Sequence, residues 1–160
     1  MKRHIIVDGY NVIKRDHELL ALERKSLEAA RGRLLSLLGQ SRRLKNDQIT
    51  VVFDGSATNL SFPVSSTQGR IRIIYSGNLE SADSVIQRLL CSMSTAANTV
   101  VLSDDREIRD AALGYGSTVG GATSRQTGLP YSGHHEDSQR APDKKGPAKR
   151  PKRKPPEFRW

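Results

Sequence analysis

The sequence predicts an α/β fold with a mainly parallel sheet of about five strands flanked by helices. Short apolar segments recur along the first 121 residues, and amphipathic helical patterns separate them. Three of the apolar segments end in aspartate. Strands that alternate with helices are joined by crossover connections, so they run parallel and their carboxyl ends share one edge of the sheet.

Each predicted strand is a short apolar or alternating segment bounded by polar residues or glycine. The first, "HIIVD", has the continuous apolar centre of a buried parallel strand. The third, "RIRIIY", alternates Arg with Ile, which indicates a position nearer the edge of the sheet. The five segments are residues 4–8, 48–55, 70–77, 98–105 and 117–121.

Three segments between the strands have the apolar spacing of amphipathic helices. They are residues 24–44, residues 81–96 with Ser81 as the predicted N-cap, and residues 105–114, which Gly114 ends. The polar residues 56–69, "SATNLSFPVSSTQG", have neither a helical nor a strand period, and we expect them to form a loop.

The composition predicts one domain, residues 1–121, followed by a basic tail. The chain has 160 residues, 36% of them hydrophobic, which suffices for one modest core. Residues 122–160 are rich in Gly, Ser, Pro, Lys and Arg, so we expect them to be disordered. The tail holds 10 of the 26 Lys and Arg and 4 of the 17 Asp and Glu, and therefore 6 of the 9 net positive charges. Such a tail indicates RNA, ribosomal RNA included, as a partner, although a tail that only confers solubility has the same charge.

Several classes of protein and cofactor find no support. The single cysteine rules out a disulfide framework and a cysteine-rich zinc site, and it fits a reducing cytoplasm. No apolar run approaches the roughly 20 residues of a membrane span, and the first apolar segment is too short for a signal peptide. Neither a Walker lysine loop nor a G-x-G-x-x-G motif for a nucleotide cofactor occurs. We therefore expect a cytoplasmic protein without a membrane partner.

Carboxylates from distant parts of the sequence are predicted to meet at one edge of the sheet. Asp8, Asp54 and the pair Asp104 and Asp105 each lie at the carboxyl end of a predicted strand. Asp83 lies in the first turn of the helix after the third strand, and the beginning of that helix faces the same edge. Ligands of parallel α/β sheets bind beyond the carboxyl ends of the strands. This edge is therefore the predicted functional site.

A cluster of carboxylates suits a divalent cation. Neighbouring like charges raise one another's pKa and destabilise the fold, and a cation removes that cost. Hard oxygen ligands favour Mg²⁺ or Mn²⁺, which activate a water molecule and stabilise the leaving oxygen of a phosphodiester. Whether one ion or two would bind stays open.

Each acid also has an ordinary structural explanation. Asp8 and Asp54 precede glycine, as turn-forming aspartates do. Asp83 and Asp105 are acids of the kind favoured in the first turn of a helix, and Asp104 is the predicted N-cap of the third helix. Their joint occurrence at one edge is what favours a site.

The segments "IIVDGYNVI", "VVFDG", "SADSVIQRL" and "VVLSDDREI", in this order and spacing, resemble the NYN domain, specifically its YacP-like branch. That branch belongs to the PIN-like nuclease superfamily, and the resemblance covers about residues 3–121. It implies a PIN-like three-layer fold, with a parallel sheet between helices, and metal-dependent cleavage of RNA. Association with ribosomes and with mRNA decay is a further implication of the resemblance.

The resemblance also implies roles for particular residues. The residues that would hold the metal ion are Asp8, Asp83 and Asp105. The acids that would add ligands or orient the attacking water are Asp54 and Asp104. Asn11, beside the first acid, either orients a water or a phosphate or only caps the segment after Gly9. Gln87 departs from the pattern, because the family often has Glu at this position, one helical turn after Asp83 and on the same face. Metal affinity would then be weaker, or one ion would suffice.

The preferred hypothesis is a Mg²⁺- or Mn²⁺-dependent endoribonuclease. Tyr10 and Phe62 are the aromatic residues near the predicted edge that could stack on unpaired bases. The basic residues predicted to hold the RNA backbone, unless they merely face solvent, are Arg42, Arg43, Lys45, Arg70 and Arg72.

The alternative hypothesis is a catalytically weak RNA- or ribosome-binding module whose affinity comes from the basic tail. Gln87 favours it, and the complete set of aspartates opposes it. A receiver domain or a phosphatase fits poorly, because Gly9 and Tyr10 stand where those classes require a second acid after the first strand.

Overall fold

The protein was analysed as a computed structural model that describes residues 2–55, 61–93 and 96–121. These residues form one sheet, whose strands are β1 (His4–Asp8), β2 (Gln48–Phe53), β3 (Val64–Gln68), β4 (Ile71–Tyr75), β5 (Thr99–Leu102) and β6 (Thr118–Gly120). The helices in the same residues are α1 (Gly9–Arg15), α2 (His17–Lys25), α3 (Leu27–Gln40), α4 (Ala82–Ser92) and α5 (Arg106–Gly114). The predicted disordered tail, 122–160, lies outside the described residues.

The sheet is mainly parallel, as predicted, but it has six strands in the order β3-β4-β2-β1-β5-β6. Every neighbouring pair is parallel except β3 and β4. The prediction of a loop over 56–69 is therefore wrong for residues 64–68, which form the edge strand β3. All five of its side chains are exposed and it pairs on one side only, so it needs no apolar alternation. A turn at Gly69, whose φ of +58° favours glycine, returns the chain into β4.

The helix predicted over 24–44 is α3, which begins only at Leu27; residues 24 and 25 end a separate helix, α2, whose residues 17–23 were not predicted to be helical. Ser26 has extended backbone angles, and its hydroxyl accepts the N–H of Ala29 at 3.2 Å, which starts α3 anew. Residues after Gln40 form turns rather than helix. The short helix α1 was not predicted. It begins directly after Asp8, where a Cβ at position 9 would collide with the ring of Phe53, so glycine is needed there for packing.

The helices cover both faces of the sheet and give the predicted three layers. On one face, α1, α2 and α3 pack with Ile5 and Val7 of β1. On the other face, α4 and α5 pack with Ile6. Alternate residues of a strand point to opposite faces, so the apolar run "IIV" serves both cores. No helix in the described part of the chain has the length and apolar character needed to cross a membrane.

The strand order creates a crevice beside the carboxyl end of β1. The chain leaves β1 toward β2 and β4, and it then returns to the other side of β1 as β5. Where the strand order reverses in this way, the crossover connections leave the sheet in opposite directions and a cleft opens between them. Of the described strands, β1 and β5 flank this point, which the order of the segments along the sequence does not reveal.

Candidate active site

The reversal in strand order places Asp8 beside Ser103. Asp8 ends β1, and Ser103 directly follows β5, the parallel neighbour of β1. The buried Ser103 hydroxyl donates a hydrogen bond to Asp8 Oδ2 at 3.0 Å. The same hydroxyl oxygen accepts the backbone N–H of Asp105 at 3.0 Å. Ser103 thus connects the first acid of the chain to the acid that precedes α5.

Burial and neighbouring acids oppose the ionisation of Asp8. Its pKa is raised from 3.8 to about 6, mainly by burial, and the carboxylates of Asp83 and Asp105 contribute in the same direction. The hydrogen bond from Ser103 and the backbone N–H of Asn11 lower the pKa in part, because both stabilise the charged form. Acids from β1, α4 and the start of α5 therefore interact electrostatically.

Asp83 extends this group of acids. It lies in the first turn of α4, and Ser81 caps that helix, as predicted, by accepting a backbone N–H at 3.2 Å. Burial raises the pKa of the half-buried Asp83. The acids that raise the pKa further are, in decreasing order, Asp105, Glu107 and Asp54. Glu107, in the first turn of α5, was not among the predicted site residues.

Asp105 has a structural task besides its charge. Its Oδ1 accepts the backbone N–H groups of Glu107 and Ile108, at 2.9 and 3.2 Å, so Asp105 is the N-cap of α5. The prediction of Asp104 as the N-cap is wrong by one residue. The Ser103 hydroxyl holds the backbone N–H of Asp105, and this bond places the Asp105 carboxylate over the start of the helix.

Asp104 and Asn11 connect α1 to the loop before α5. Asn11 Oδ1 accepts the backbone N–H of Asp104 at 2.9 Å. The Asp104 carboxylate forms an ion pair with Arg15, with 3.4 Å between Oδ2 and Nε. Asp104 is not among the acids that raise the pKa of Asp8 or Asp83. The geometry therefore supports a positioning role for both Asn11 and Asp104 more directly than a chemical one.

The acids have the chemistry and the charge that suit a divalent cation, but their side chains are not arranged closely enough to coordinate one. Carboxylate oxygens are the ligands that Mg²⁺ and Mn²⁺ prefer, and the mutual repulsion of these acids is what a cation relieves. As the side chains stand, no three His, Cys, Asp or Glu of the described residues lie close enough together to form a metal site. Gln87 is half-buried on α4, four residues after Asp83, and it adds no charge.

The basic residues predicted to bind RNA lie at the opposite edge of the sheet. Arg42, Arg43 and Lys45 are exposed in the turn before β2, whereas Asp54 follows β2. Arg70 precedes β4, and its guanidinium donates to the carbonyls of Leu44 and, at 3.1 Å, Leu38 near the end of α3. Arg72, near the start of β4, is exposed and donates to Ser65 Oγ at 3.1 Å. RNA contact by these five residues stays a prediction, and it would not be contact at the acidic edge.

Two residues of the site could not be assigned from the sequence. Ser103 was not among the predicted site residues, because only the adjacency of β1 and β5 shows that it reaches Asp8. Glu107 looks like any acid in the first turn of a helix. The run "DDRE", residues 104–107, was the available signal for Glu107. A residue two positions after the N-cap Asp105 lies in the first turn of the helix, so its carboxylate is near the same helix start.

The fold and the acidic crevice define the class of protein. A mainly parallel sheet between two helical layers, with acids gathered at the carboxyl ends of its strands, is a PIN-like fold. The chain belongs to the YacP-like NYN domain family, whose model matches residues 5–151. That family is related to the PIN-like nucleases, which indicates an RNA-related nuclease role. The match extends past residue 121, the predicted end of the domain.

The similar proteins come from Bacillus subtilis. The chain is 27% identical over 114 residues to the uncharacterized protein YacP of strain 168, a match that spans 71% of this chain and 66% of that relative. It also resembles two crystal structures of Rae1 (YacP). A mutant form matches with a TM-score of 0.64 and 26% identity over 79% of this chain and 72% of that one. The other structure matches with a TM-score of 0.59 and 27% identity over 74% and 68%, respectively.

Proposed function

We propose that this protein is a Mg²⁺- or Mn²⁺-dependent endoribonuclease that hydrolyses phosphodiester bonds in RNA. The observation that carries the proposal is the electrostatic interaction of Asp8, Asp83 and Asp105, which come from three separate elements: Asp83 and Asp105 raise the pKa of Asp8, and Asp105 also raises that of Asp83. A fold gains nothing from gathering acids whose charges repel, so their convergence indicates a cationic ligand. Membership of the YacP-like NYN family supports the same function.

The residues would divide the work as follows. Asp8, Asp83 and Asp105 would hold the ion, with Asp54 adding a ligand or orienting water. A bound Mg²⁺ or Mn²⁺ supplies an activated water and neutralises charge that develops on the phosphate. Ser103 keeps the Asp8 carboxylate oriented and partly ionised, because its hydroxyl hydrogen-bonds the charged form.

Closing of the acid side chains around the ion is part of the proposal. Asp105 would have to bind the ion while its Oδ1 continues to cap α5. Glu107 is exposed two residues further on, and it faces the group closely enough to raise the pKa of Asp83. We therefore propose that Glu107 provides the additional carboxylate that the family often has at the position of Gln87.

The substrate we propose is cytoplasmic mRNA, including mRNA engaged by ribosomes. The single cysteine and the resemblance of the motifs support this setting. The basic tail, which holds 6 of the 9 net positive charges, would add affinity for RNA or for the ribosome.

The test is cleavage of labelled single-stranded and structured RNAs by the purified full chain. Reactions with Mn²⁺, Mg²⁺ and EDTA would be compared for the wild type, Asp8→Asn and Asp16→Asn. Asp16 is a suitable control because it is as buried as Asp8 but caps α2 and is not among the acids that raise the pKa of Asp8 or Asp83. We expect cleavage that requires metal, is lost in Asp8→Asn and survives in Asp16→Asn.

A binding module without activity is the second candidate, and Gln87 together with the open arrangement of the acids favours it. If this candidate is right, the full chain binds RNA in a salt-sensitive way and cleaves it with neither Mn²⁺ nor Mg²⁺. Cleavage that persists in Asp8→Asn or in EDTA would contradict the proposed site. Silence on free RNA would be followed by the same comparison on translating ribosomes.

A further inference from the structure

A cationic side chain held among aromatic rings lies at the edge of the sheet that also carries the acids. Arg31 of α3 donates from Nη1 to the hydroxyl oxygen of Tyr10 at 3.0 Å, and its guanidinium carbon lies 5.6 Å from the ring centre of Tyr75. Phe53 lies between the two tyrosines, with ring centres 5.2 Å from Tyr10 and 5.5 Å from Tyr75. We call Tyr10, Arg31, Phe53 and Tyr75 the Arg31 cluster.

The Arg31 cluster lies at the carboxyl ends of β1, β2 and β4. Tyr10 follows Asp8 by two residues, and Phe53 directly precedes Asp54. Tyr75 is the register partner of Phe53 at the carboxyl end of β4. Three of the four members are therefore fixed at the same edge of the sheet as the acids. Arg31 reaches them from the helical layer above.

Arg31 is oriented but not neutralised. Within the described residues, no carboxylate lies within ion-pair distance of its guanidinium, whereas Arg33 on the same helix pairs with Glu18 at 2.8 Å. A tyrosine hydroxyl and an aromatic face restrict the side chain without cancelling its charge. Only one of the five guanidinium N–H donors has a partner among the described residues, and Arg31 is only partly buried.

We propose that Arg31 binds a backbone phosphate of single-stranded RNA that lies across the acidic crevice. The inference rests on the proposed function and adds a substrate-binding residue to it. A polyanion that approaches several carboxylates is repelled, and a fixed cation at the same edge of the sheet provides a compensating contact. The planar fork of Arg matches two oxygens of a phosphate, and preorganisation by Tyr10 and Tyr75 reduces the entropy lost on binding.

The test measures the affinity of the full chain for a short single-stranded RNA in EDTA, where cleavage is not required. We expect Arg31→Gln to weaken binding about tenfold, the effect of losing one charge-assisted contact. The matched control is Arg33→Gln, which removes the same charge two residues away and is expected to change affinity less than about twofold. Tyr10→Phe keeps the ring packing and removes the acceptor, so a smaller loss, about threefold, is expected.

A phosphate scan identifies the contact. In a series of RNAs, one phosphate at a time is replaced by a neutral methylphosphonate. The wild type should lose affinity at one internal position, and Arg31→Gln should be insensitive at that position. If Arg31→Gln does not fold by circular dichroism, the same scan with Tyr10→Phe decides, with a reduced response at that position expected.

Three results would overturn the assignment of Arg31. They are unchanged affinity of Arg31→Gln, an equal loss in Arg33→Gln, and an unaltered phosphate scan in the variants. Failure of the nuclease proposal looks different, because the binding differences in EDTA would remain while cleavage with metal would be absent.

Discussion

Replacing Asp8 by asparagine should make the protein more stable while it removes the proposed activity. Asp8 is 8% exposed, and burial raises its pKa to about 6, so its charged form is disfavoured in the folded state. Asparagine has the same shape and carries no charge. Its side-chain oxygen can still accept the hydrogen bond from Ser103.

The magnitude follows from the gap between the two pKa values. A pKa of 3.8 raised to about 6 corresponds to about 3 kcal/mol, since one pH unit is worth about 1.36 kcal/mol. The amide has one acceptor oxygen where the carboxylate has two, so the hydrogen bonds from Ser103 and from the backbone N–H of Asn11 are not both kept at full strength, which costs about 1 kcal/mol. We therefore expect Asp8→Asn to raise the free energy of unfolding by about 2 kcal/mol at about pH 8.

The sign of the pH dependence is determined by the raised pKa. The folded state binds the Asp8 proton more tightly than the unfolded state. The ionised Asp8 therefore destabilises the folded wild type fully above about pH 6, and this effect disappears as the pH falls toward 3.8. At about pH 5 the charge effect falls from about 3 to about 1.5 kcal/mol. The advantage of the variant should shrink accordingly.

The assay is urea denaturation of the wild type, Asp8→Asn and Asp16→Asn in EDTA at about pH 8 and about pH 5. Asp16 is 7% exposed and caps α2, a task that asparagine performs equally well, so its variant should differ little from the wild type. Added Mn²⁺ should stabilise the wild type and not Asp8→Asn, because only the wild type has the complete set of acids. An Asp8→Asn variant that is less stable at about pH 8, or whose advantage is the same at both pH values, would refute this reasoning.

Four further variants, at three positions, test other residues of the candidate site. Ser103→Ala removes a hydrogen bond to the charged form of Asp8 and should lower the free energy of unfolding by about 1–2 kcal/mol, measured in urea at about pH 8 in EDTA. Asp105→Asn should lose cleavage but keep its cap on α5, whereas Asp105→Ala should lose cleavage and also about 1 kcal/mol of stability; equal stabilities would contradict the capping role. Gln87→Glu adds a carboxylate one turn after Asp83 and should increase Mn²⁺ affinity severalfold by calorimetric titration, and an unchanged affinity would exclude that side chain from the metal site.

The local patterns of the sequence were sufficient for most of the fold. The apolar runs at residues 4–8, 48–55 and 98–105 contain the parallel strands β1, β2 and β5, because a segment buried on both faces must be apolar at successive positions. Ser81 caps α4 as predicted, since capping depends on residues within one turn. Where local rules competed, the sequence was less informative. Ser26 divides a continuous helical pattern into two helices, and Asp105 caps α5 in place of Asp104.

The edge strand and the basic residues show where the local patterns fail. β3 is held by backbone pairing with β4 alone, so its side chains carry no periodic signal. Arg70 and Arg31 look alike in the sequence. Arg70 has its guanidinium occupied by carbonyls near the end of α3, and Arg31 is held by Tyr10 and Tyr75 at the carboxyl-end edge of the sheet. The partner of a long side chain depends on which distant elements pack around it.

The sequence by itself determined that acids follow the strands of a parallel sheet, because strand polarity places every carboxyl end at one edge. Only the tertiary structure decided which acids are neighbours. The order β2-β1-β5 puts Asp8 beside Ser103, 95 positions apart in sequence, and through it beside Asp105. Strand order depends on how whole helices pack on both faces of the sheet. That free energy comes from contacts between distant segments, so no short segment of the sequence reveals it. The acids were therefore predictable, and their connection through Ser103 was not.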